Sequence, residues 1–239
     1  MDAGIEQSRI GAAQLRGTLL RQPVRSPAAL FVHGWDGSAA DDFQRLGRLG
    51  ALGMTCAGFD QRGHGDDGEE HDSATREQGL ADLLEVYDWL ARQPEVDAER
   101  IGVAGFSYGG YLAALLAAQR PLHWLALRSP ALYPDRGWRV PKTQLKRDRD
   151  LRRYRERALS PAQNGALRAC SGYQGAVLLV RAGCDEVLPA QVAGNYAAAF
   201  GKARSLEAHV LEGADHALGD PRQQQAYTDL LTAWLMRLP

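Results

Sequence analysis

Short apolar runs and segments of helical periodicity take turns along almost the whole chain, and few folds accept that order. AALFVHG (28–34), MTCAGFD (54–60), RIGVAGF (100–106), WLALRSP (124–130), GAVLLVRAG (175–183) and SLEAHVLEG (205–213) read as strands. Most are continuously apolar, as a strand covered on both faces must be. Helical patterns fill the intervals at 74–93, 108–119, 189–201 and 222–238. In DDFQRLGRLGALG (41–53), Phe43, Leu46 and Leu49 fall at helical spacing, with Asp41 and Asp42 expected in the first turn. The fold class that follows is α/β: a mostly parallel central sheet with helices on both faces, preceded by one or two short antiparallel strands between Arg9 and Leu20. Right-handed crossovers then gather the C-terminal ends of the parallel strands at one edge, where ligands of such sheets bind.

With 239 residues, 45% of them hydrophobic, the chain suits one domain over 1–239. Its formal net charge of −1 favours neither nucleic acid nor an anionic membrane. Cys56, Cys170 and Cys184 are odd in number and show no metal-binding spacing, so they read as free thiols of a reducing compartment. The N-terminus lacks a basic start followed by an apolar run, and no apolar stretch reaches the roughly 18 residues a membrane span needs. A cytoplasmic protein, monomer or homodimer, is the expectation. The rhythm breaks once, from about 133 to 172, where a polar and basic stretch including LKRDRDLRRYRERALS separates two strands. A connection of that length is expected to be a small helical insertion, a lid above the sheet edge.

At 105–109 the strand IGVAGF runs into the helix YGGYLAALLAAQ through Gly105-Phe106-Ser107-Tyr108-Gly109. G-x-S-x-G at a strand-to-helix junction is a nucleophile elbow: small flanking residues allow the sharp turn that lifts the serine hydroxyl above the sheet. A serine hydroxyl needs a base to take its proton. His216, in LEGADHALGD just past the last strand, sits at the correct edge, whereas His33, His64, His71, His123 and His209 are less well placed. The base in turn needs a carboxylate to fix its tautomer. Asp185 in LLVRAGCDEVLP directly follows a strand, with Glu186 as fallback; Asp215, adjacent to His216, is discounted because neighbours rarely meet a ring nitrogen in good geometry. The backbone amides of Tyr108 and of Trp35, in HGWDG, are the candidate donors to an oxyanion.

HGWDG, FDQRGHGDD, GFSYGG, AGCDEVLP and GADHAL, in this order over nearly the whole chain, resemble the α/β-hydrolase superfamily. The branch most similar is that of small bacterial hydrolases of the dienelactone hydrolase and feruloyl-esterase type. The resemblance implies nucleophile Ser107, acid Asp185, base His216 and oxyanion amides at Trp35 and Tyr108. It also implies that Arg62 and His64 belong to a structural loop. The chain departs from dienelactone hydrolases in carrying serine where they usually have cysteine, and GFSYGG is also similar to perhydrolases and haloperoxidases.

The expected activity is a serine hydrolase that cleaves small carboxylic esters or thioesters through an acyl-enzyme, without metal or organic cofactor. Tyr133, Trp138 and Tyr154 are candidates for the apolar part of the substrate pocket. The basic residues of the insertion, Lys146, Arg147, Arg149, Arg152, Arg153, Arg155 and Arg157, read either as a solvated face with charge pairs or as a lid attracting an anionic substrate. HGDDGEEHD (64–72) holds two histidines and several acids without a ligand spacing, so a solvated loop is expected there and no metal. Acyl transfer, perhydrolysis or peptidase action would use the same three residues, and a hydrolase-like binding protein would need none of them.

Overall fold

The computed structural model describes residues 5–65, 70–146 and 150–238. Asp66, Asp67, Glu69, Arg147, Asp148 and Arg149, with the side chains of Phe43, Leu46 and Lys146, lie outside the described residues. Eight strands form one sheet: β1 (Ile5–Ile10), β2 (Leu15–Leu20), β3 (Ser26–Val32), β4 (Thr55–Phe59), β5 (Val96–Phe106), β6 (Trp124–Arg128), β7 (Ala176–Ala182) and β8 (Ser205–Leu211). Their spatial order is β1-β2-β4-β3-β5-β6-β7-β8. β1, β2 and β4 pair antiparallel, and every pairing from β4 through β3 to β8 is parallel. This is the α/β-hydrolase arrangement, and it brings the C-terminal ends of β3 to β8 to one edge.

Helices cover both faces. On one lie α2 (Arg76–Ala91), α3 (Tyr108–Leu116), α6 (Gly165–Gly172) and α7 (Ala190–Ala199); on the other lie α1 (Phe43–Ala51) and α8 (Pro221–Leu235). The sequence of α3 is apolar all round because it is enclosed by the sheet, α2 and α6. Thr75 starts α2 with a reciprocal cap: its hydroxyl accepts from the Gln78 amide while the Gln78 side chain accepts from the Thr75 amide. Asp41 and Asp42 differ from expectation. They end a 3-10 turn, Ala39–Asp42, ahead of α1, and Asp42 pairs with Arg45 at 2.8 Å instead of capping an amide. Among the described residues no helix is long and apolar enough to cross a membrane.

The break between β6 and β7 is narrower than 133–172. α6 packs on α3 and α7 through buried Ala166, Leu167, Ala169 and Cys170, and so belongs to the layer covering the sheet. The added piece consists of α4 (Lys142–Lys146), α5 (Asp150–Arg155) and their connections. It is tied to the start of α2 by the Lys142 amide on Ala74 O and the Thr143 hydroxyl on Asp72 O.

Close approach explains the glycines around the central junction. A methyl group on Gly109 would stand 2.1 Å from Val32 O and 2.4 Å from His33 O, both backbone atoms at the end of β3. One on Gly105 would stand 2.7 Å from Gly109 O. Neither wall can yield without moving a central strand. Gly109→Ala is therefore expected to destabilise the protein by about 2–3 kcal/mol or more, read as a lower midpoint of urea unfolding, while Gly47→Ala, with open space around it, is expected to be neutral or stabilising.

Candidate active site

Ser107 joins β5 to α3 with φ 50° and ψ −112°, a left-handed backbone that a non-glycine residue adopts at a cost of about 1–3 kcal/mol. Three hydrogen bonds hold it there. Its amide donates to Arg128 O at 3.0 Å, and its carbonyl accepts from the amides of Tyr111 at 3.0 Å and Ala131 at 2.8 Å. The hydroxyl is thereby fixed at the N-terminus of a buried helix, above the sheet edge.

The loops after β7 and β8 carry the partners. His216 Nε2 lies 2.9 Å from Ser107 Oγ, and His216 Nδ1 lies 2.7 Å from Asp185 Oδ2. An ionised carboxylate can only accept, so Nδ1 carries the proton and Nε2 is left to accept from the hydroxyl. Burial alone would raise the Asp185 carboxyl, but hydrogen bonds from His216 and from the amides of Leu188 and Val187 outweigh it and hold the group below its ordinary value. The two loops are sewn together by the Cys184 amide on Ala214 O at 2.8 Å. Glu186 is exposed, and Asp215 accepts from the Gly219 amide inside its own turn. Ser107, His216 and Asp185 thus form one hydrogen-bonded line, as the sequence leads one to expect.

HGWDG follows β3 and passes directly beside Ser107: a methyl group on Gly34 would come within 3.4 Å of Ser107 Cβ. Tyr108 is the first residue of α3, so its amide has no intrahelical acceptor. Trp35 is braced by rings, with His64 at 4.5 Å edge-on, His71 at 4.9 Å and Tyr108 at 5.3 Å. The Asp36 amide donates to His64 Nε2 at 3.1 Å, and the Asp36 carboxylate meets His71 Nε2 at 3.0 Å.

His64 is therefore buried structure and not part of a solvated loop. Ligand atoms of Asp36, His64 and His71 lie within 4.8 Å of one another, but both His64 nitrogens are occupied, Nδ1 by Arg62 O and Nε2 by the Asp36 amide. The arrangement fits a brace and not a metal site. Arg62 makes a forked pair with Asp82, at 2.7 and 3.0 Å, in keeping with a scaffold role.

The three aromatic candidates for the substrate pocket go elsewhere. Tyr133 is buried in the core, enclosed by the cations of Arg76, Lys142 and Arg155. Trp138 lies over Arg76, and the Tyr154 hydroxyl accepts from Asn164. Of the described arginines in the insertion, Arg152 and Arg153 are exposed and pair with Glu156 and Asp150, Arg157 is exposed and lies over the Tyr154 ring, and Arg155 is buried and donates to Leu132 O. Arg152 and Arg153 thus form a solvated face with charge pairs, whereas Arg155 is part of the packed structure.

Sequence reasoning missed Arg128. It closes β6 at only 5% exposure, with its guanidinium carbon 3.4 Å from the centre of the Phe106 ring and one N–H on His216 O at 3.0 Å. The Phe106 ring in turn lies 5.1 Å from that of His216. Burial lowers the Arg128 guanidinium to about 10, which leaves it a cation at neutral pH. Its signal was available: an arginine inside WLALRSP, a strand otherwise wholly apolar up to that point. Arg128 and Phe106 line a cleft of about 630 Å³ together with Gly34, Trp35, Leu218 and Gln224.

Residues 42–238 match the profile of the prolyl oligopeptidase family. The uncharacterized protein Rv2307c of Mycobacterium tuberculosis is 38% identical over 105 residues, which are 44% of this chain and 36% of that protein, so the match spans about a third of the relative's length. Est1E from Butyrivibrio proteoclasticus, in a structure with ferulic acid bound, superposes with a TM-score of 0.72 at 19% identity, covering 96% of this chain and 98% of that one. A dienelactone hydrolase from Anabaena variabilis gives 0.68 at 20% identity, covering 98% and 97%.

The brace on Trp35 predicts a pH response. Burial, followed by the neighbouring His33, pushes His64 from an ordinary 6.5 down to about 4. Between those values the unfolded chain binds a proton that the folded protein does not, so stability falls as pH drops from about 6.5 to about 4. Urea midpoints measured across this range should decline in wild type and decline less steeply in His64→Gln.

Proposed function

This chain belongs to the prolyl oligopeptidase family, within the α/β-hydrolase superfamily, and on that footing we propose that it is a serine hydrolase of small carboxylic esters. The single observation that carries the reading is the line from Ser107 Oγ through the His216 ring to Asp185 at 2.9 and 2.7 Å. Ser107 Oγ attacks the ester carbonyl as its proton passes to His216 Nε2, giving a tetrahedral oxyanion. The amides of Trp35 and Tyr108 receive that charge, and each such donor lowers the barrier by about 3 kcal/mol. Collapse breaks the ester C–O bond, and His216 hands its proton to the departing alcohol. Water then enters, loses a proton to His216, attacks the acyl-serine and releases the acid. Asp185 keeps His216 in the required tautomer and stabilises its cationic form.

The fold it shares with Est1E, seen with ferulic acid, and with a dienelactone hydrolase supports an ester carbonyl as the reacting group. A second reading, cleavage of peptide bonds by the same residues, is favoured by the description of the matched family. Parallel assays of an aryl ester and an anilide of the same acyl group separate the two.

A fluorophosphonate probe should label wild type and leave Ser107→Ala unlabelled. In Ser107→Ala, ester turnover should fall by about 10⁴-fold or more, and Asp185→Asn should lower kcat by about 10⁴-fold with the fold retained. Labelling of Ser107→Ala at the wild-type level would end the assignment.

A further inference from the structure

We propose that Arg128 binds a carboxylate on the substrate, so that the preferred ester carries a free acid group seated in the cleft beside His216. This rests on the serine hydrolase reading above and adds the class of substrate. Arg128 is 5% exposed, and among the described residues it forms no ion pair. Its one hydrogen bond, to His216 O, uses one of five N–H groups, and the rings of Phe106 and Tyr227 contribute cation–π contacts only. A buried guanidinium without an anion is costly, and an arriving carboxylate would remove that cost while meeting its planar fork in two parallel hydrogen bonds.

The other charges on the walls of the cleft are already engaged. Asp42 pairs with Arg45 at 2.8 Å, Asp36 meets His71 at 3.0 Å, and Asp41 accepts from the Ser38 amide at 2.7 Å. These acids disfavour a dianionic phosphate, and Arg128, which feels Asp42 and Asp185 at a distance, is a cation of the cleft that no carboxylate touches among the described residues. Stacking on Phe106, which itself lies against the His216 ring, places the charge on the side of the site from which His216 acts. The exposed arginines of the insertion supply no comparable buried site: Arg152 and Arg153 pair with Glu156 and Asp150, and Arg139 with Glu77, all at the surface.

The test compares two matched pairs of esters. One carries the acid on the acyl side, 4-nitrophenyl hydrogen succinate against 4-nitrophenyl methyl succinate. The other carries it on the leaving group, 4-acetoxybenzoate against its methyl ester. In one pair or the other, wild type should prefer the acid in kcat/KM, and the acid-to-neutral ratio should fall by about 30-fold in Arg128→Gln. Arg128→Lys should recover part of it. A role confined to holding the His216 loop would lower both members of a pair equally and leave the ratio unchanged. Gln224→Glu, which leaves Arg128 in place and adds a negative charge to the cleft wall, should lower the same ratio even if the Arg128 variants fold poorly.

Calorimetric titration of Ser107→Ala with the two acids reads binding without turnover, and the added Arg128→Gln change should weaken it by a similar factor. Turnover of neutral esters with no acid preference in either pair, or a preference and affinity indifferent to Arg128 and Gln224, overturns the proposal. Acid binding that depends on Arg128, with no ester cleaved, would instead sink the hydrolase reading and leave this one standing.

Discussion

One backbone turn governs the rest of this structure. Ser107 holds a positive φ between a central strand and a buried helix, and the side chain rises above the sheet only because the chain reverses so abruptly there. The reversal requires Gly105 and Gly109 to let β5, α3 and the end of β3 approach at distances that exclude a methyl group. Strain of about 1–3 kcal/mol is sustained by bonds from β6 and from the turn that follows it. The exposed hydroxyl is thus a product of the central packing, not of a flexible surface loop.

Around that point the electrostatics are asymmetric. Asp185 is held below its ordinary value by amides and by His216, and it orients the ring. Arg128, buried against Phe106, holds the backbone carbonyl of the residue whose side chain meets Ser107. A carboxylate therefore contacts the imidazole, and a cation holds the carbonyl of the same residue.

The architecture was readable in the chain because each strand is a continuous apolar run and each covering helix has its own period. The Ser107, His216 and Asp185 line was readable for a related reason: all three follow strands whose ends the topology must gather. What escaped depends on contacts between segments distant in sequence. Tyr133, Trp138 and Tyr154 look like pocket residues by composition, yet three cations drawn from α2, α4 and α5 enclose Tyr133 in the core. By composition 64–72 reads as a solvated loop, although the resemblance already gives His64 a structural place; Asp36, some thirty positions away, binds both His64 and His71. The extent of the insertion was overestimated because the charged run of 146–157 hides the point where a covering helix resumes.

The Lys142 ammonium lies 4.7 Å from the Trp35 ring and 5.4 Å from those of Tyr108 and Tyr133. The insertion is thereby clasped to the indole of the loop that passes beside Ser107. In many enzymes a peripheral cap can be exchanged to retune selectivity while the chemistry below is untouched. Here that modularity is forfeited: a transplanted cap lacking the lysine would loosen the platform beneath it, and engineering of substrate range would have to proceed from the cleft inward.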